Sequence, residues 1–288
     1  MVMTFTEKVF MFSCVTEKLL GIVALPEFPR EIGVLIVVGG PQYRVGSHRQ
    51  FLLLSRALAE NGYPAMRFDF RGMGDNSGDL RGFEAVEMDI QAALDAFLVA
   101  CPKIKRVVLW GLCDAASASL LYWNSTRDAR VTGLVLLNPW IRSDLTLARA
   151  HIKHYYGKRF LQVEFWRKLL NGNLGVLQAM GGFLTSLKRA RQTKLPAARD
   201  QSCSFQNKML RGLATFPGRV LLLLSGNDYT ANEFLEAVKA DHAWAAAIRQ
   251  SKVTRIDLPE ADHTFSSVEW RGIVEKMTKD WLGLEFGQ

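Results

Sequence analysis

From residue 33 onward the chain alternates short, nearly uninterrupted apolar runs with segments of helical period, and this alternation narrows the possible folds more than any other feature. Strands are expected at 33–38 (GVLIVV), 64–70 (PAMRFDF), 106–112 (RVVLWGL), 131–137 (VTGLVLL), 219–225 (RVLLLLS) and 253–258 (VTRIDL). Helices are expected between them at about 48–61, 83–100, 114–125, 231–250 and 267–282. Strand–helix–strand repetition implies right-handed crossovers and a parallel sheet, and runs without polar interruption suit strands covered on both faces. Two earlier strands, 8–15 and 18–26, are separated by a Thr-Glu turn and predict an antiparallel N-terminal hairpin. The fold class is therefore α/β, with a mostly parallel central sheet.

One segment breaks the rhythm. Residues 141–218 lack strand character, are rich in Trp, Phe, Leu and Arg, and are interrupted by Gly181-Gly182 and Pro196. A structureless loop of that length is improbable in a compact domain. A helical lid over 141–218, inserted into a core made of 1–140 and 219–288, is the expectation. The lid also holds the charge: fourteen Lys and Arg against three acids (Asp144, Glu164, Asp200) give a local excess of +11 in a chain of net charge +8, so the rest carries −3. Charge concentrated this way predicts an anionic small-molecule partner or an acyl group carried on an anionic group. Peripheral membrane contact through Phe160, Phe165, Trp166 and the neighbouring bases is a second option, and a plain solvated helical face is the simplest account. Nucleic acid is not expected, since no recognition motif accompanies the charge.

Composition excludes several classes. A chain of 288 residues with 49% apolar and 22% charged residues has enough apolar content for a core, which argues against global disorder. No run of eighteen apolar residues occurs, and MVMTFTEKVFMFSC does not read as a signal peptide. Cys14, Cys101, Cys113 and Cys203 are scattered without metal-ligand spacing. Reduced thiols, a cytoplasmic location and neither metal nor organic cofactor are the expectations.

The segment at the end of strand 106–112 carries the chemistry. Gly111-Leu112-Cys113-Asp114-Ala115 joins that strand to a helix-forming stretch, which is the strand–turn–helix setting of a G-x-nucleophile-x-G elbow with cysteine in the nucleophile position. A tight turn demands small neighbours; Gly111 supplies one, and Ala115 and Ala116 stand where a second glycine is usual. A cysteine opening a helix feels the positive end of the helix dipole, which favours a reactive thiolate. The competing reading is a buried structural thiol.

A nucleophile needs a base, and the base an orienting acid, in the chain order nucleophile, acid, histidine. After strand 219–225 comes Gly226-Asn227-Asp228, and after 253–258 comes the loop bearing His263. Asp228 could alternatively cap the following helix, Asp144 is a competing acid, and Asp262 is set aside because it would face away from its neighbour in an extended loop. The oxyanion hole is expected to combine the N–H of Asp114 with one from the loop Gly39-Gly40-Pro41-Gln42-Tyr43-Arg44. Pro41 has no N–H, so Gln42 is the expected donor and Gly40 the fallback. Tyr43, Arg44, His48 and Trp140 are candidates to line the substrate pocket. The loop Asp69-Phe70-Arg71-Gly72-Met73-Gly74 is expected to brace the elbow through a fixed Arg/Asp pair.

Taken together, VVGGPQYRVGSHRQF (37–51), RFDFRGMGDNSG (67–78), LWGLCDAASA (109–118) and the Asp228 and His263 loops resemble the type 1 exosortase A system-associated hydrolases of the α/β-hydrolase superfamily. The resemblance implies the α/β-hydrolase fold and a cytoplasmic enzyme of bacteria that export polysaccharide. Three functions are compatible with these residues: an esterase or thioesterase acting through Cys113, His263 and Asp228; an acyltransferase using the same cysteine; and a non-catalytic binding protein that has kept the fold.

Overall fold

Every residue of the run Ile32–Val37 is buried, as a strand covered on both faces requires, and the remaining apolar runs assemble around it. The computed structural model describes residues 3–40, 43–142 and 204–287. Within them one eight-stranded sheet is formed by β1 (Phe5–Cys14), β2 (Glu17–Pro26), β3 (Ile32–Val37), β4 (Ala65–Phe68), β5 (Arg106–Leu112), β6 (Val131–Leu137), β7 (Arg219–Asn227) and β8 (Val253–Asp262). Their spatial order is β1-β2-β4-β3-β5-β6-β7-β8. The β1–β2 and β2–β4 pairings are antiparallel and all others are parallel. The expected hairpin and parallel sheet are both present. The hairpin turn lies one residue earlier than expected: Cys14 pairs with Glu17, so Val15 and Thr16 form the turn, and Val15 takes a φ of 56°.

The helices are α1 (Gln50–Ala59), α2 (Glu87–Ala100), α3 (Asp114–Thr126), α4 (Phe205–Thr215), α5 (Tyr229–Ala240), α6 (His242–Ile248) and α7 (Val268–Phe286). The single helix expected over 231–250 is two, because Asp241 leaves helical geometry and its carboxylate caps the Ala243 N–H at 2.7 Å. Of the segment 141–218, residues 205–218 join the core. Helix α4 packs on α3, Phe216 meets Trp123 edge-on at 5.0 Å, and 205–218 falls in one compact unit with Met1–Ile141 and the C-terminal residues. Residues 143–203, including Asp144 and most of the positive charge of the segment expected as a lid, lie outside the described residues.

The order β4-β3-β5 matters for function. The chain steps to one side of β3 to form β4 and to the other side to form β5, so the C-terminal ends of β3 and β5 border a topological switch point, where open α/β sheets gather their ligands. Gly39-Gly40 follows β3 and Cys113 follows β5.

Candidate active site

Cys113 sits between β5 and α3 with φ 61° and ψ −123°. A side chain in that conformation is strained, at a cost of about 1–3 kcal/mol, and the surrounding packing holds it there. A Cβ on Gly111 would stand 2.6 Å from the Ala115 carbonyl carbon and 2.7 Å from the Ala116 nitrogen. Only glycine lets β5 and α3 approach this closely. Ala115 and Ala116 are themselves fully buried. The Cys113 N–H donates to the Leu137 carbonyl at 2.8 Å, and the Cys113 carbonyl accepts from the Trp140 N–H at 3.2 Å, tying the bend to the end of β6. The Cys113 thiol is half-buried, whereas Cys14 and Cys101 are buried. Burial pushes the Cys101 thiol up to about 11 and also raises that of Cys14.

Asp228 immediately follows β7 and His263 immediately follows β8. Parallel pairing of those strands, with Asn227 opposite Asp262, brings the two residues together. His263 Nδ1 lies 2.9 Å from Asp228 Oδ2. The same carboxylate accepts from the N–H groups of Thr230 and Ala231, both at 3.1 Å. Asp228 is thus both the helix cap and the partner of the imidazole, and the cap fixes the carboxylate. Hydrogen bonds with Asp228 and Cys113 outweigh burial and push the His263 imidazole up to about 10. Asp262 is engaged elsewhere, accepting from the Ser266 N–H at 2.9 Å and from its hydroxyl.

Two residues that sequence reasoning missed hold the histidine loop. Asn138, buried and in a left-handed conformation (φ 44°), donates through Nδ2 to Ser225 Oγ at 2.9 Å and to the His263 carbonyl at 3.1 Å. Its Oδ1 accepts from the Ser225 N–H at 2.9 Å, and Ser225 Oγ donates to the Asp262 carbonyl at 2.9 Å. The available signal was the appearance of a polar residue directly after the apolar run VTGLVLL and another at the end of RVLLLLS.

A cavity of about 730 Å³ is lined by Cys113, His263, Gly39, Gly40, Asp114, Tyr43, Ser47, Phe83 and Trp140, together with Gly46. Tyr43 and Trp140 therefore line it as expected. Arg44 and His48 do not. The Arg44 guanidinium is buried, paired with Asp69 and Asp75 and stacked over the Tyr43 ring at 4.3 Å, so its charge is used inside the loop framework. His48 is exposed, on a turn with φ 53°. The bracing pair is also different from the one expected. Asp69 pairs with Arg44, while Arg71 grips Asp89 with Nε at 3.0 Å and a terminal nitrogen at 2.7 Å. Of the oxyanion donors, Gln42 lies outside the described residues. The Gly40 N–H faces the cavity and donates to Asp114 Oδ2 at 2.7 Å. Among the described residues no group of three or more His, Cys, Asp or Glu is placed to hold a metal ion, and no helix is long and apolar enough to cross a membrane.

A thiol on a strained strand-to-helix bend, beside an imidazole held by a carboxylate, is an arrangement suited to nucleophilic attack on a carbonyl. Residues 34–275 match the Alpha/beta hydrolase family. The chain belongs to this family. No curated protein matches the sequence. Among solved structures, this α/β hydrolase is similar to an esterase of Pyrococcus furiosus, with a TM-score of 0.64 and 16% identity over 98% of this chain and 91% of that one. It is also similar to Est1E of Butyrivibrio proteoclasticus, solved with ferulic acid, with a TM-score of 0.62 and 13% identity over 97% and 100% of the two chains. An α/β serine hydrolase homologue of Coxiella burnetii gives 0.58 and 15% identity over 94% and 96%. At these identities the likeness is one of fold.

Proposed function

We propose that this α/β hydrolase is a cysteine-dependent acyl hydrolase acting on esters or thioesters. The observation that carries the reading is the placement of the Cys113 thiol beside an imidazole whose Nδ1 is held 2.9 Å from Asp228. With Nδ1 committed to the carboxylate, Nε2 is left for the sulfur. In the first half-reaction the Cys113 sulfur attacks as the thiolate, its proton already held on Nε2 of the raised imidazole; sulfur bonds to the carbonyl carbon and the carbonyl π electrons move to oxygen. Collapse of the tetrahedral intermediate breaks the bond to the leaving group, which takes the proton from Nε2. This leaves an acyl thioester on Cys113. Water, giving a proton to Nε2, attacks that thioester; its collapse releases the carboxylic acid and the Cys113 thiolate, with the proton left on Nε2 as at the start. Backbone N–H groups of Asp114 and of Gly40 or Gln42 hold the oxyanion in both halves.

The resemblance of the elbow and glycine-loop segments to exosortase-associated hydrolases supports a cytoplasmic role linked to polysaccharide export. The basic segment 141–218 supports an acyl donor carried on an anionic group. The test is intact-mass measurement after incubation with p-nitrophenyl acetate and with candidate thioesters. An acyl adduct that maps to Cys113 and is absent from C113A is the expected result. Turnover unchanged in C113A, with no adduct, removes the proposal. Faster decay of the adduct with an added amine or alcohol, yielding acylated acceptor, would assign acyl transfer instead of hydrolysis.

A further inference from the structure

One amide expected to bind an oxyanion, that of Gly40, already has an occupant. The Asp114 carboxylate, from the first residue of α3, reaches back across the cavity floor and accepts the Gly40 N–H at 2.7 Å. Its other oxygen lies directly over Gly39, where an added Cβ would stand 2.1 Å away, so the two glycines form the cradle in which the carboxylate rests. The Gly40, Ala115 and Asp114 amides favour its charged form, as does the nearby His263 imidazole. Among the described residues no Lys or Arg pairs with this carboxylate, and the cavity it borders is lined by Phe83, Trp140 and Tyr43 as well as by the His263 imidazole. Burial raises its carboxyl above the usual range, against the pull of those amides.

A carbonyl oxygen that enters the hole must take over the Gly40 amide and the Asp114 amide, and the carboxylate then loses its hydrogen bond from Gly40 in a half-buried setting. Leaving a buried acceptor without a partner is costly, more so for a charged one. The exchange is favourable when the incoming molecule brings a donor of its own.

We propose that Asp114 determines the acyl specificity of the site: its carboxylate fills the oxyanion hole in the resting enzyme, and the preferred acyl donor carries a hydroxyl or ammonium group on the carbon next to the scissile carbonyl, which pairs with the carboxylate as the carbonyl oxygen takes the amides. This rests on the acyl-hydrolase reading above and adds the substrate class. The anionic group inferred from the basic segment then belongs on the distant, leaving-group side, since an anion beside the carbonyl would face Asp114.

The experiment compares p-nitrophenyl esters of propionic, 2-hydroxypropionic and 2-aminopropionic acids, with each kcat/KM divided by the rate constant of that ester's alkaline hydrolysis. The parent enzyme is expected to favour both substituted esters over the propionyl ester by about tenfold. In D114A the Gly40 amide is unoccupied and no carboxylate needs a partner. The preference is then expected to fall to within about twofold, while turnover of the propionyl ester rises. D114N, which keeps the shape and one acceptor oxygen without the charge, is expected to lose most of the ammonium advantage and serves if D114A does not melt cooperatively. Alkylation of Cys113 by iodoacetamide, which needs no oxyanion hole, is expected to change far less than ester turnover in either variant. A preference that survives both substitutions, or a propionyl ester turned over no faster, overturns the assignment. C113A separates the two claims. If it hydrolyses all three esters as the parent does, the cysteine reading fails. If it is inactive while the preference survives D114A, only the Asp114 assignment fails.

Discussion

Nδ1 of His263 lies 2.9 Å from Oδ2 of Asp228, and the same oxygen caps the helix that starts one residue later. The two duties can be separated, because asparagine caps a helix about as well as aspartate does but cannot supply the negative charge that holds the imidazole. D228N is therefore expected to fold normally and to lower kcat by roughly 10³-fold, measured with an activated ester. By NMR, His263 of the parent protein is expected to titrate near 10 and to fall towards the ordinary value, about 6.5, in D228N.

That raised imidazole has a thermodynamic consequence. In the folded protein His263 holds its proton up to about 10, while the unfolded chain releases it at about 6.5. Between those values the native state binds more protons, so this group's contribution is fully present below about pH 6.5 and is lost as the pH rises towards about 10. Urea titrations across that window are expected to show stability falling more steeply in the parent protein than in H263Q. Equal slopes would show that the imidazole is not held in its charged form.

Backbone strain at Cys113 gives a prediction opposite in sign to the usual ranking of alanine over glycine within helices. C113A and C113G both remove the sulfur and are both expected to be inactive. Alanine must still adopt φ 61° and ψ −123°, whereas glycine does so freely. C113G is expected to be the more stable of the two by about 1–2 kcal/mol in urea denaturation.

The parts of the fold that could be read from the sequence were those set by local pattern. Strands β5 and β6 occupy the expected residues because their apolar runs end sharply at Cys113 and Asn138. Strand β8 runs four residues beyond its apolar stretch, since Pro259 and Glu260 look like a turn. Its continuation depends on pairing with β7 beyond an irregularity at Ser225 and Asn227, which no local pattern encodes. The site divides in the same way. The chain order of Cys113, Asp228 and His263 was legible because each follows a strand. The contact between Gly40 and Asp114 spans 74 positions, and the partners of Arg44 lie 25 and 31 residues further on. Proximity to the glycine loop made Arg44 look like a pocket residue, when its charge is used by carboxylates the sequence pattern could not assign to it.

Asn138 offers a test of how the histidine loop is held. Replacing it with alanine leaves the buried Ser225 N–H without its acceptor and frees the His263 carbonyl. N138A is expected to cost about 1–3 kcal/mol of stability. It is also expected to lower kcat more than it raises KM, because the imidazole rather than the pocket wall is displaced. S225A keeps its own N–H bonded to Asn138 and leaves Asn138 on the His263 carbonyl, losing the hydroxyl that accepts from Asn138 Nδ2 and donates to the Asp262 carbonyl, so its effect on both measurements is expected to be smaller.

Arg44 separates a structural role from a pocket role. Its side chain and that of Asp69 are 6% and 0% exposed, so R44A would strand a carboxylate in the interior, and breaking a buried pair from one side costs about 3–5 kcal/mol. R44M/D69N removes the uncompensated charge while roughly keeping volume, and is expected to recover much of that loss. If Arg44 instead contacted substrate, R44A would raise KM with stability intact, and the double variant would bring no recovery. Urea denaturation of the parent, R44A and R44M/D69N, with KM for one neutral ester measured on each, decides between the two roles. Destabilisation relieved by the second substitution, with KM nearly unchanged, is the expected outcome.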